Sequence, residues 1–139
     1  MGLTYATIEI INSSDEFNYD NGLIPADKIR RWSGQCLVDT GALRMAITRE
    51  IKELLGLKVN MLMDVGLADG RVQQMELAGS IKVRFGNRIC YTDAFVVENN
   101  SEPLLGAIAM EGMDLVVLPA ENRLEYYPGH PETGLYSMR

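Results

Sequence analysis

The chain has little from which to build metal, thiol or nucleic-acid chemistry. Its 139 residues include 2 cysteines and 1 histidine. Cys36 and Cys90 lack the close paired spacing of a zinc or redox site. Both stand in apolar, strand-like contexts and read as two buried, reduced thiols, since free Cys behaves as a small hydrophobe. His130 lies in the turn-rich Pro128-Gly129-His130-Pro131 and reads as a solvated tail residue, so a Ser-His or Cys-His catalytic pair has nothing to build on. No metal and no cofactor are expected. The formal net charge is -6 and the only adjacent basic pair is Arg30-Arg31, which excludes the clustered cations that nucleic acid requires. No apolar run is long enough to span a bilayer, so no membrane partner is expected. Residues 1–11 alternate polar and apolar without a basic flank, unlike a secretory signal. Ala6 stands where a myristoylation pattern needs Ser or Thr. These absences give the expectation of a cytoplasmic protein.

What is present is an ordinary globular balance, with 47% hydrophobic and 23% charged residues, over a length that suits one domain spanning 1–139. Residues 4–11 read as a strand with Ala6, Ile8 and Ile10 on one face. Residues 12–22, rich in Asn, Asp and Ser, read as a loop, and residues 25–32 as either a short helix or an irregular arm. A strand over 35–38 follows. Thr48 then suits an N-cap, Ile51, Leu54 and Leu55 keep helical spacing, and Gly56 suits a C-cap. Residues 58–63 read as a strand, and Asp69-Gly70 is the strongest hairpin signal in the chain. Gly86-Asn87 joins strands over 77–85 and 89–97. A polar loop over 98–103 leads to Leu104-Leu105-Gly106 and a short helix through Met110. A strand over 115–118, a turn over 119–122 and a strand over 123–127 complete the pattern, and 128–139 reads as a mobile or partner-bound tail. The methionines, Met61, Met63, Met110 and Met113 among them, read as core filler. Many short strands, tight turns and two short helices predict a mostly β, barrel-like domain.

Two motifs carry chemistry. Asp39-Thr40-Gly41 follows the apolar Cys36-Leu37-Val38 and precedes Ala42. Far downstream, Leu104-Leu105-Gly106 opens a short helix and is followed by the apolar residues 115–118. Together they resemble the retropepsin-like, retroviral-type aspartic proteases, a family that includes stand-alone bacterial domains, and the resemblance covers roughly residues 35–127. It implies a closed β-barrel with one or two short helices, acting as a homodimer. It implies Asp39 as the catalytic carboxylate, with Thr40, Gly41 and Ala42 supporting its loop and Leu105 and Gly106 packing beside it. The hairpin over 65–75 would be the flap, with Ala68, Asp69 and Gly70 at its substrate-facing tip. The implied substrate is a peptide or protein in extended form, cleaved without metal.

Such chemistry needs two carboxylates within hydrogen-bond reach, sharing one proton. Asp64, Asp69, Asp93 and Asp114 lack the Thr-Gly context, so the second carboxylate is expected to be Asp39 of an identical subunit on a two-fold axis. Ala42 follows the Gly as in retroviral enzymes, without the Ser that pepsin-like enzymes place there, which implies a less acidic working pH. The chain also departs from the family. Leu43 and Arg44 are unusual, and Ala107 stands where many retroviral enzymes carry the Arg of an Asp–Arg brace. Arg44 reads equally as a substitute brace or as a solvated cation. Residues 12–22 form an insertion that a minimal retroviral protease lacks. These departures keep a second reading open, a protease-fold peptide-binding or assembly module without catalysis.

Overall fold

The computed structural model describes residues 3–128 and residue 130. Strand β1 (Thr4–Asn12) alternates as its pattern dictates, burying Ala6, Ile8 and Ile10. It pairs antiparallel along β2 (Arg31–Val38). Beyond these come β3 (Met45–Thr48), β4 (Lys58–Gly66), β5 (Val72–Phe85), β6 (Arg88–Val97) and β7 (Leu104–Leu105). The seven form one mixed sheet in the order β1-β2-β7-β3-β6-β5-β4. Strand β1 also pairs with β5, so the pairing of six strands returns to its start and β4 lies outside that circuit. Strands β8 (Leu115–Leu118) and β9 (Arg123–Tyr126) make a separate antiparallel pair. The architecture is mostly β.

The core gathers inward-facing residues from most of these elements. Ile8, Ile10, Cys36, Met45, Ile47, Leu55, Ile81, Val83, Leu105 and Met113 are all sealed from solvent. Each such aliphatic side chain contributes roughly 1.5–3 kcal/mol relative to exposure. The short helices close the gaps. Helix α2 (Arg49–Leu55) starts where Thr48 Oγ1 accepts the Ile51 N–H at 3.2 Å, and stops at Gly56, whose φ of 62° favours glycine. Gly86, with φ of 60°, turns β5 into β6.

Several expectations are corrected. Residues 12–22 are not a loop but mainly helix α1 (Ser13–Asp20). The same Asn and Asp that suggest a loop act as its cap and anchor. Asn12 Oδ1 accepts the Asp15 N–H at 3.0 Å, and Asp15 turns inward to take Arg30 Nε at 2.8 Å and Nη2 at 2.9 Å. The ambiguous 25–32 stretch is a single 3-10 turn (Ala26–Lys28) running into β2, which begins four residues ahead of Gln35. Strand β3 has no counterpart in the sequence reading. With α3 (Ala107–Gly112) the described residues hold three α-helices, where the reading had two.

Three side-chain assignments also change. Met61 is 52% exposed on β4 and Met63 is half-buried, while Met110 and Met113 are core. Cys90 is half-buried rather than buried, although it and Cys36 are both free thiols. Burial pushes Cys36 up to about 12 and Cys90 up to about 11, which keeps both protonated at neutral pH. His130 is not a solvated tail residue. Its Nδ1 stands 2.8 Å from Asp114 Oδ2, and its ring stacks on Tyr127 with centroids 5.1 Å apart. Its carbonyl accepts from Arg88, a guanidinium sealed in the interior that also donates to the carbonyls of Met113 and Asp114, each at 3.1 Å. Such a buried cation persists because its donors are matched by carbonyls and the Asp114 carboxylate stands 3.5 Å from Nη1. Of the expected 128–139 tail, residues 129 and 131–139 lie outside the described residues.

Candidate active site

Strand β2 ends at Val38, and the chain turns at once. The Ala42 N–H donates to the Asp39 carbonyl at 3.2 Å, closing the turn, and the Gly41 N–H donates to Asp39 Oδ1 at 2.9 Å. The second bond orients the carboxylate against its own loop. A Cβ on Gly41 would stand 3.2 Å from that oxygen, so a larger residue would crowd the carboxylate. Asp39 is half-buried, and Thr40 and Leu43 are exposed.

The loop is tied to chain more than sixty residues downstream. Strands β2 and β7 pair in parallel, with Leu37 opposite Leu104 and Val38 opposite Leu105. The Leu37 N–H donates to the Pro103 carbonyl at 2.9 Å, and the Asp39 N–H to the Leu105 carbonyl at 3.1 Å. The Ala107 and Ile108 N–H groups, at the start of α3, donate to the carbonyls of Ala42 at 2.8 Å and Leu43 at 3.0 Å. The helix thus has its first amides satisfied by the loop itself. Gly106 lies between. A Cβ there would come within 2.6 Å of the Arg44 carbonyl oxygen and 2.9 Å of that of Ala42. Both obstacles are backbone and cannot rotate away, so close approach requires glycine at 106. Asp39, Thr40, Gly41, Ala42, Leu105 and Gly106 therefore form one contiguous unit.

Ala68, Asp69 and Gly70 sit elsewhere, at the end of the β4–β5 hairpin. The Leu67 N–H donates to the Arg71 carbonyl at 2.8 Å, leaving these three as the loop, and Gly70 takes φ of 86°. Asp69 Oδ1 accepts the Arg71 N–H at 3.0 Å and Oδ2 accepts Nε at 2.6 Å. First the Arg71 backbone amide and then its guanidinium hold the Asp69 carboxyl below the usual range. A groove of about 600 Å³ is lined by Gly41, Ala42, Leu43 and Arg44 from the loop, by Met45 and Ala46 of β3, by Asp64, Val65, Gly66, Leu67 and Met75 from the hairpin, and by Phe95 and Leu104. Asp39 is adjacent in sequence but not among the lining residues. The hairpin stem lines it, whereas the three tip residues do not.

One groove residue has a partner that the sequence did not reveal. Arg44 Nη1 pairs with Asp93 Oδ1 at 3.0 Å, so this partly exposed cation is held by a carboxylate other than that of Asp39. Forty-nine residues separate the two, and no local pattern links them. Phe95 and Met75 were legible only as apolar strand positions. Among the described residues, no group of His, Cys, Asp or Glu is placed to hold a metal ion, and no helix is long and apolar enough to cross a membrane.

A scan against protein-family models finds no matching family, and a search of curated proteins finds no match either. The functional reading therefore rests on the residues and their geometry.

Proposed function

We propose that this chain is one subunit of a homodimeric, retropepsin-like aspartic endopeptidase. The observation that carries the proposal is the fit of Gly106 against the 39–44 loop, where backbone from both motifs meets too closely for any side chain. Unrelated motifs have no reason to meet in this way. The circuit of strand pairing supports the closed-barrel architecture, and the groove between loop and hairpin supports an extended peptide as substrate.

In this mechanism the two Asp39 carboxylates meet on a two-fold axis and share one proton. The ionised member takes a proton from the attacking water, and the protonated member donates to the scissile carbonyl. Their apparent pKa values belong to the pair. The exposed Thr40 is free to brace the opposite loop. The hairpin closes over the peptide and excludes water. Arg44 is committed to Asp93 and so leaves the dimer to be secured by other contacts.

The test compares wild type with Asp39→Asn on an unfolded protein substrate, across pH from about 4 to 8. Wild type should cleave as a dimer, and the variant should keep its fold and its dimer while losing cleavage. Full activity in a strictly monomeric protein, or in Asp39→Asn, overturns the proposal. Intact dimers that bind peptide yet cleave at no pH establish the non-catalytic binding module instead.

A further inference from the structure

The groove continues beyond the loop and the hairpin. A second cavity of about 520 Å³ is lined by Ala46, Val97, Asn100, Ser101, Glu102 and Leu104. Ala46 and Leu104 also line the groove, and they stand opposite one another where β3 meets β7. One trough therefore runs from the hairpin stem, across that strand pair, to the loop over 98–103.

The charges of the trough are unevenly matched. Arg44 is its cation, and Asp93 offsets it at 3.0 Å. Asp64 on the hairpin stem and Glu102 in the second cavity are its carboxylates, and neither has a cation partner among the described residues. Other acids of the hairpin do have such partners: Glu76 pairs with Arg49 and Lys52, and Asp69 with Arg71. The Tyr5 hydroxyl donates to Glu102 Oε2 at 3.2 Å. This neutral donor orients the carboxylate without cancelling its charge and leaves the other oxygen for a ligand. The walls that accompany the two carboxylates are apolar, with Met75, Phe95, Val97 and Leu104 half-buried.

We propose that the trough selects extended peptides bearing lysine or arginine, with Asp64 and Glu102 as its specificity-determining residues. A basic side chain lays its aliphatic stem on the apolar walls and brings its cation to a carboxylate. An acidic side chain would meet unpaired negative charge in the same places. The net charge of -6 adds a diffuse attraction for basic chains, which the two carboxylates turn into a preference for position. The inference rests on the reading of the groove as the substrate site of an endopeptidase. In the homodimer the two-fold axis repeats both carboxylates, so basic residues are favoured on either side of the cleaved bond.

The test measures binding and cleavage separately. Asp39→Asn protein, which should hold peptide without cutting it, is titrated with short fluorescent peptides that share one sequence but carry Lys, Met or Glu at matched positions. The Lys peptide should bind about tenfold more tightly than the Met peptide, and the Glu peptide most weakly. In that background, Asp64→Asn and Glu102→Gln should each reduce the Lys advantage about threefold, and together they should abolish it. Glu102→Lys should instead tighten the Glu peptide. Asp20→Asn, which removes the same charge outside both cavities, should leave the advantage intact. Asp20, Asp64 and Glu102 are all exposed, so these variants keep the fold. In wild type, the bonds cut in an unfolded protein should be flanked by Lys or Arg more often than its sequence provides by chance. Equal binding of the Lys and Met peptides, or no binding of any peptide, overturns the inference. So does a Lys advantage that survives the double variant or falls equally in Asp20→Asn. Cleavage without flanking Lys or Arg overturns it too and leaves the endopeptidase reading intact. A Lys advantage lost in the double variant, in a protein whose wild type cleaves at no pH, upholds the selectivity and overturns only the endopeptidase.

Discussion

The loop after β2 and the β4–β5 hairpin line the same groove and are held in opposite ways. The loop exchanges backbone hydrogen bonds with β7 and α3, and its neighbours Leu105 and Met45 are sealed in the core. Beyond Leu77 the described backbone of the hairpin pairs only strand with strand. Its side-chain tie to the body is Glu76 to Arg49 at 3.4 Å and Lys52 at 3.8 Å, and most of β4 and the first residues of β5 are exposed. Stability is therefore unevenly spread, with the loop tied to global unfolding and the hairpin free to open locally. Chemistry on a carboxylate needs a fixed group, and a cover that admits peptide needs a mobile one.

The largest break in that contrast should come from the fixed side. Leu105→Ala removes a fully buried side chain beneath the loop and should destabilise the chain by about 3 kcal/mol in urea unfolding. Gly106→Ala forces a methyl against the Arg44 and Ala42 carbonyls and should cost about 2 kcal/mol. Both should also abolish peptide cleavage by displacing Asp39. A Gly106→Ala protein with unchanged stability and turnover would mean that the loop is not pinned there. On the mobile side, deleting Asp69 and Gly70 should change stability by less than about 0.5 kcal/mol while cutting peptide turnover severely. The reverse outcome would make the hairpin a structural part and remove its role as cover.

The two regions differ in how far sequence could describe them. Thr48, Gly56, Asp69-Gly70 and Gly86 act through local backbone chemistry, and the elements they bound stand where they were expected. Residues 12–22 misled because Asn and Ser serve loops and helix caps alike. Only the Asp15–Arg30 pair, fifteen residues apart, decides between them. Strand β3 is four residues long and exists because β6 and β7 flank it, so no local period marks it. The Arg44–Asp93 pair and the meeting of residue 39 with residue 105 are tertiary in the same sense. The latter could be anticipated only through a family resemblance. Met61 shows the limit from another side: an apolar residue in a strand reads as core, yet it is 52% exposed on a strand that has β5 as its one partner among the described residues.

The smallest effect, and the finest test of the contrast, is acid. Asp15 and Asp69 each have an arginine partner, one in the body and one at the hairpin tip. Chiefly through its guanidinium, Arg30 holds Asp15 below the ordinary value of 3.8, with burial working against it. Arg71 lowers Asp69 in turn. A carboxylate whose folded pKa is depressed contributes stability in full above its unfolded value, and that contribution disappears as pH falls through the folded value. For Asp15 the loss releases α1 from the Arg30 anchor, so it should register in the thermal midpoint. Asp15→Asn should lower that midpoint at neutral pH, and the gap from wild type should shrink once pH passes below 3.8. For Asp69 the same protonation loosens only a solvent-exposed turn. Asp69→Asn should match the wild-type midpoint at every pH and differ only in faster exchange of the Arg71 amide. If Asp69→Asn lowers the midpoint as far as Asp15→Asn does, the hairpin is coupled to the body, and the division between a fixed loop and a mobile cover fails.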